Sequence, residues 1–258
     1  MRSEILHPLS DGIGLVQLVS RSDDPTLSVV NAARVSYNNE KEKPDERDAK
    51  LVNFLWTHDH TSPFRHAFYT LKIKAPLFVM RQWWKHQIGC RWTGFVLPDG
   101  TDVAIDVAAI QVDIDNGCSW NEVSGRYVQL EEEFYLPKEF RGNGAHGNKQ
   151  QSYELDWTPE EHEKMHQEYV DACADAYIRY KDMLSRGVAR EQARMLLPQN
   201  IYTSTVWTCS VQSLLHFLNL RLKNDSQYEI RKYAEAIRDI VKDDLLAMGV
   251  PQTALEGI

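Results

Sequence analysis

A chain of 258 residues with 43% hydrophobic and 26% charged residues can bury a large core, and its size suits one domain with room for an insertion. Its formal charge of -8 and pI near 5.6 argue against a surface built as a whole for nucleic acid, so any anionic ligand must meet a local cluster of cations. The opening MRSEILHPLS lacks an apolar signal core, no later stretch nears the ~20 apolar residues of a membrane span, and Cys90, Cys118, Cys173 and Cys209 form no CxxC pair. A cytoplasmic protein with free thiols, and without a membrane or nucleic-acid partner, is the expectation.

In chain order, Gly12 to Val19 reads as a strand and Pro25 to Ala33 as a short helix. Asp45 to His58 carries Leu51, Val52, Leu55 and Trp56 at helical spacing behind an acidic first turn that suits the helix dipole. Phe68 to Ile73 alternates like a strand, and Pro76 opens a helix to about Ile88. In NEVSGRY, Glu122, Ser124 and Arg126 fall on one face if the stretch is extended, and a strand is expected from there to Tyr135. A glycine-rich loop over 141 to 147 leads to a long helix from Pro159 to Arg186, stopped by Gly187. A shorter helix, Ala189 to Leu197, ends at Pro198; Asn200 to Thr208 is rich in β-branched and aromatic residues and reads as a strand. Helices follow over Ser210 to Lys223 and Gln227 to Met248. The expected class is α+β: a mixed sheet flanked by helices, with a helix-rich C-terminal half, in one domain over 1 to 258.

Several clusters carry chemical interest. On the Pro76 helix, Arg81 and Lys85 would lie one turn apart with Gln82 and His86 on the adjacent row, beside Trp83 and Trp84. That pattern reads either as a phosphate grip with a stacking surface or as a basic face snorkelling over aromatics. HDHTSPFRH brings His58, His60 and His66 close in sequence, but without HExxH or another ligand set no metal is expected; Ser62-Pro63 reads as a turn aiming an imidazole. Gln212, His216 and Asn219 make a polar stripe on a leucine-rich helix, with Arg221 near its end. If that helix is buried, each polar group needs a partner, since an unpaired one costs roughly 1–3 kcal/mol. Arg190 and Arg194 can grip a phosphate or merely pair with glutamates such as Glu191.

Taken in order, AARVSY, HDHTSPFRH, APLFVMRQWWKHQIG, SWNEVSGRY, GVAREQARMLLP and SLLHFLNLR resemble the flavin-dependent thymidylate synthases, over about Asn31 to Ile240. The resemblance implies a homotetramer with shared active sites, each holding FAD and dUMP. Methylenetetrahydrofolate would supply the carbon and NADPH would reduce the flavin, giving dTMP and tetrahydrofolate. It assigns dUMP to Gln82, Trp83, Trp84, Lys85, Glu122, Ser124, Gly125 and Arg126, with Arg194 from a neighbouring subunit. Arg221 would hold the uracil ring and stabilise its developing charge, the catalytic role. His60, Ser62, Lys85, His86, Gln87, Glu122, Ser210, Gln212 and His216 would surround FAD.

Two departures stand out. Lys85-His86-Gln87 replaces the family's Arg-His-Arg, and Ser210 and Gln212 stand where an asparagine and an arginine are usual, so a weaker hold on phosphates is implied. An insertion over about residues 90 to 118 splits the signature; Pro98-Asp99-Gly100 suggests a β-hairpin, decorative or acting as a lid or subunit contact. Its ends should be neighbours, which would bring Cys90 near Cys118. Two other functions stay open: a related pyrimidine nucleotide methylase or hydroxymethylase, motivated by the changed flavin residues, and a catalytically inactive nucleotide-binding homologue.

Overall fold

The computed structural model describes residues 4–86, 118–144 and 151–257, and the backbone at 95–96 and 102–103. Strand β1 (Leu15–Arg21) leads through Asp24, whose carboxylate accepts from the Leu27 N–H at 2.8 Å, into helix α1 (Pro25–Arg34). Helix α2 (Glu46–Thr57) begins with a capping box in which Asp45 and Asp48 reciprocally bond each other's backbone N–H. Asp48 is fully buried yet takes Lys41 at 2.9 Å and Arg34 at 2.8 Å, so it ties the polar 34–45 segment to the helix start. A 3-10 turn over Ser62–His66 enters β2 (Phe68–Pro76), which passes directly into α3 (Leu77–Trp83).

Backbone pairing at β3 (Phe95–Val96) and β4 (Asp102–Val103) is antiparallel, Phe95 opposite Val103. The rest of the expected hairpin, and with it Cys90, lies outside the described residues. The chain returns at β5 (Cys118–Glu122), followed by the short pair β6 (Arg141–Asn143) and β7 (Ser152–Glu154). Then come α4 (Pro159–Ser185), α5 (Arg190–Ala193) with a 3-10 turn over Arg194–Leu196, β8 (Tyr202–Ser210), α6 (Val211–Arg221) and α7 (Tyr228–Met248). Among the described residues no helix is long and apolar enough to cross a membrane.

The class is α+β with a helix-rich C-terminal half, as expected. The principal sheet has the order β1-β2-β8-β5, and every ladder in it is antiparallel rather than mixed. Leu71 faces Trp207 and Tyr69 faces Cys209, so the odd-numbered side chains of β2 and β8 share one face, and these are buried. The core lies between that face and α3, α6 and α7. At its centre Trp83 stacks on Phe217 with centroids 4.6 Å apart and meets Trp207, Tyr233 and Trp120 edge-on at 5.6, 5.8 and 6.4 Å.

Other expectations gave way to tertiary partners. Residues 128 to 135 form no strand beyond a bridge from Phe134 to Ile201. Their backbone partners differ: at Leu130 the Tyr180 hydroxyl of α4 accepts from the N–H and the Tyr177 hydroxyl donates to the carbonyl, both at 3.1 Å, while Glu133 and Tyr135 bond the backbone of Tyr202 and Asn200. Helix α3 stops at Trp83 rather than running to Ile88, as the His86 N–H turns back to the Trp83 carbonyl. Arg81 and Lys85 therefore do not share a helix row.

The C-terminus of α7 fixes how that helix meets α2. Gly249 ends it at φ 107°, and a Cβ there would come within 2.2 Å of the Ala49 carbonyl oxygen. Gly249→Ala is expected to lower unfolding stability by about 2–4 kcal/mol, through backbone strain plus displacement of α2, read from urea denaturation midpoints.

Candidate functional site

Helix α6 is buried on nearly every side, so its polar residues are informative. Ser210 is its N-cap, with the hydroxyl accepting from Ser213 N–H, and it is 1% exposed; that side chain is spent on the helix rather than turned to a ligand, against the expectation. Gln212 donates to Thr61 Oγ1 at 2.8 Å and accepts from Arg65 Nε at 2.7 Å. It thus pins the 60–66 turn to the helix and brings a guanidinium to a position where sequence alone counted a lost charge. His60 and Ser62 stay exposed on that turn, the His60 ring stacked with Phe54 at 6.2 Å. His58 ends α2 and Asp59 takes a left-handed backbone, so His58 and His60 do not alternate on a strand.

One turn further along α6, His216 faces His86, with ring centroids 5.9 Å apart. Arg221 Nε donates to His86 Nε2 at 2.8 Å, so the neutral His86 ring carries its proton on Nδ1. Burial, then the charges of Arg221 and His216, push the His86 pKa down to about 4; burial and Arg221 lower His216 as well. Burial alone lowers Arg221, and among the described residues no carboxylate pairs with it. A half-buried guanidinium beside two neutral imidazoles, with no counter-ion among the described residues, is a receptor for negative charge. Gln82 lies on the same α3 segment, and its amide donates to Gln227 Oε1; Gln227 in turn donates to Glu229 at 2.9 Å.

A second cluster forms where β5 ends. Glu122 accepts from Thr203 Oγ1 at 2.6 Å, but beyond it the chain turns, as Tyr127 N–H bonds the Ser124 carbonyl at 2.9 Å. The extended stretch presenting Glu122, Ser124 and Arg126 on one face is therefore not formed; a β-turn places Ser124 and Arg126 differently. Gly125 is buried, and a Cβ there would touch the Arg194 Cδ at 3.2 Å and Leu130 at 3.3 Å. Arg126 pairs with Glu191 at 2.9 Å, both side chains more than half exposed, a weak bond that a phosphate can displace. Arg194 thus belongs with Ser124, Gly125 and Arg126 of its own chain, so any crossing between subunits must involve the cluster as a whole.

The other expected residues divide. Trp83 is fully buried at the core's centre and cannot touch a nucleotide, so its assignment to dUMP is withdrawn; Trp84 is partly buried and Lys85 exposed beside it. Gln87 lies outside the described residues. The sequence reading missed Thr61, Arg65, Gln227 and Glu229. All are ordinary polar residues without a motif, linked to the site only by bonds that span large sequence separations, such as the 147 positions between Arg65 and Gln212.

The family described as thymidylate synthase complementing protein matches residues 17–97 and 102–245. The flavin-dependent thymidylate synthase of Thermus thermophilus is 41% identical over 247 residues, 94% of this chain and 76% of its own length. That of Thermosipho africanus is 36% identical over 234 residues, 89% and 86% of the two chains. Among solved structures, the UMP/dUMP methylase PolB from Streptomyces cacaoi, bound with 5-Br dUMP, superposes with a TM-score of 0.67 at 27% identity, covering 92% of this chain and 96% of that one.

The depressed His86 pKa has a direct thermodynamic consequence. Between pH 6.5 and about 4 the unfolded chain binds a proton at His86 that the folded chain refuses, so stability is full above that window and falls as the pH drops through it. Urea midpoints measured from pH 7 to 4.5 should decline for the wild type and decline less for His86→Asn; equal slopes would contradict the assignment.

Proposed function

This chain belongs to the flavin-dependent thymidylate synthase family, and from that premise we propose that it converts dUMP to dTMP. Methylenetetrahydrofolate is the carbon donor and NADPH the reductant of FAD. Bound FAD supplies the hydride that completes the methyl group. The observation that carries this reading is Arg221: a half-buried guanidinium with no carboxylate partner among the described residues, positioned by a neutral His86. Such a preorganised cation binds the uracil carbonyl edge and stabilises negative charge as it develops on the ring, in a site that need not reorganise when it does.

The remaining residues have distinct tasks in this reading. Gln82 and Lys85 contact the nucleotide from the same side as Arg221. The turn at Ser124, Gly125 and Arg126, with Arg194 behind it, receives the phosphate through backbone N–H groups and guanidinium forks. His60, Ser62, His86 and His216 border the flavin, with Lys85, Glu122 and the chain around Gln87 beside them. The residues present fit an anionic cofactor: Arg65, held by Gln212, brings a cation back beside α6. This offsets part of the charge that Lys85-His86-Gln87 and Gln212 forgo.

The site is shared in a homotetramer. Two observations favour this. Arg126 pairs with Glu191 beside the Arg194 stem in one cluster and Arg221 bonds His86 in another, each guanidinium with N–H donors left open among the described residues. Tyr127 and Met195 are each 76% exposed on the first cluster's two segments, alongside exposed Val123, Val128 and Leu196, an apolar surface suited to a second copy. A second substrate reading, the ribonucleotide UMP, is favoured by the fold likeness to a UMP/dUMP methylase.

Purified protein supplied with dUMP, methylenetetrahydrofolate and NADPH should yield dTMP. A hydroxymethylated product, or preference for UMP, would reject the substrate or outcome stated here. Arg221→Ala is expected to keep the flavin absorbance of the wild type while losing about 10²–10³ in turnover. Mixing inactive Arg126→Ala and Arg221→Ala chains and allowing subunit exchange should restore part of the activity, because some shared sites then receive both intact clusters. No recovery would place both arginines in one chain's site.

A further inference from the structure

Gln227 is the residue before α7, at its N-cap position, but its side chain makes no capping bond. It spans instead between Gln82 on α3 and Glu229 on the first turn of α7. Glu229 is 5% exposed and accepts three bonds: from Gln227 at 2.9 Å, from Arg141 at 2.5 Å and from the Tyr135 hydroxyl at 3.3 Å. A carboxylate can only accept. The Gln227 amide must therefore turn its NH2 group to Glu229, which leaves its carbonyl oxygen toward Gln82. Gln82 must then present its own NH2 group to Gln227, and its carbonyl oxygen is turned away, with one N–H left over. One buried carboxylate thus dictates the orientation of two amides in series.

An amide that can flip pairs with either kind of pyrimidine edge, because it offers an acceptor and a donor that exchange places. A locked amide pairs with only one. We propose that Glu229 and Gln227 are positioning residues that hold Gln82 with its carbonyl oxygen facing the substrate, so that the site selects a pyrimidine nucleotide bearing an N3–H and rejects a 4-amino pyrimidine. The proposal rests on the reading of Gln82 as a nucleotide contact. Uracil brings its N3–H to the fixed oxygen, with a ring carbonyl beside it to take the remaining N–H. Cytosine brings an N3 lone pair to the same oxygen and its amino group to the same N–H, and neither is satisfied. Discrimination here comes from rejecting the wrong ring as much as from holding the right one.

Calorimetric binding of dUMP and dCMP to the full-length protein tests this without reference to turnover. The wild type should favour dUMP by about 100-fold or more. In Glu229→Gln the Arg141 and Tyr135 donors hold the new amide oxygen on their side, its NH2 group turns to Gln227, both amides further along reverse, and the preference for dUMP should fall to about tenfold or less. Gln227→Met cuts both links while leaving the Arg141 to Glu229 pair in place, so it should show the same narrowing even if Glu229→Gln folds poorly. The exchanged pair Gln227→Glu with Glu229→Gln restores the preference: the new carboxylate at 227 accepts from both neighbours, and Gln82 again points its oxygen to the substrate. A general loss of packing would not be rescued in this way. Full discrimination in Gln227→Met, or an exchanged pair as permissive as the single variants, overturns the proposal. Gln82→Ala separates the two layers: if it binds dUMP as the wild type does, the nucleotide contact itself is wrong, whereas loss of dUMP together with unaltered discrimination in Gln227→Met removes only the relay.

Discussion

The aromatic packing around Trp83 is the contact on which the other arrangements depend. Its indole joins the last residue of α3 to Phe217 on α6, Trp207 on β8, Trp120 on β5 and Tyr233 on α7. Those elements carry Gln82 and His86, His216 and Arg221, the approach to Glu122, and the helix that begins beside Gln227. The residue is fully buried and its neighbours fill its faces and edges, so the α3 terminus has one position relative to α6. That position sets the 2.8 Å bond between Arg221 and His86. A tryptophan expected to stack on a nucleotide thus serves the site from behind, by holding the segment that reaches it.

Electrostatics at the site follow from what surrounds it. In a chain with net charge -8, acids are plentiful, and most cations near the core have one: Arg34 and Lys41 share Asp48, Lys74 has Glu133, and Arg141 has Glu229. Arg221 has two imidazoles, kept neutral by burial and by the guanidinium itself. Leaving one half-buried cation without a counter-ion among the described residues costs folding free energy and keeps affinity for an anion in reserve. Arg126 is poised differently: it is exposed, and its partner Glu191 is bound only weakly.

The departures in the phosphate-binding sequence look less severe in three dimensions. Gln212 has no charge, but both ends of its amide are engaged, one by Thr61 and one by Arg65. Arg65 sits in the same turn as His60 and Ser62, so a cation lost from the helix reappears on the loop packed against it. A substitution that reads as weakening in one dimension is in part a relocation of charge.

What the sequence determined by itself was local. Proline and aspartate at helix starts, glycine at the ends of α4 and α7, and alternation along β2 and β8 define element type within a few residues. The ordered motifs also identified the family, because residue identities at a site are written directly in the chain. Tertiary structure decided whatever depended on a partner remote in sequence. Residues 128 to 135 lack a strand as tyrosines from α4 take the backbone groups of Leu130, α3 is shorter than its pattern, and Trp83 is core. The orientation of Gln82 follows from a carboxylate 147 positions away, and no periodicity encodes that. A hydrogen bond needs its donor and acceptor at one distance and angle, and only the folded chain supplies both.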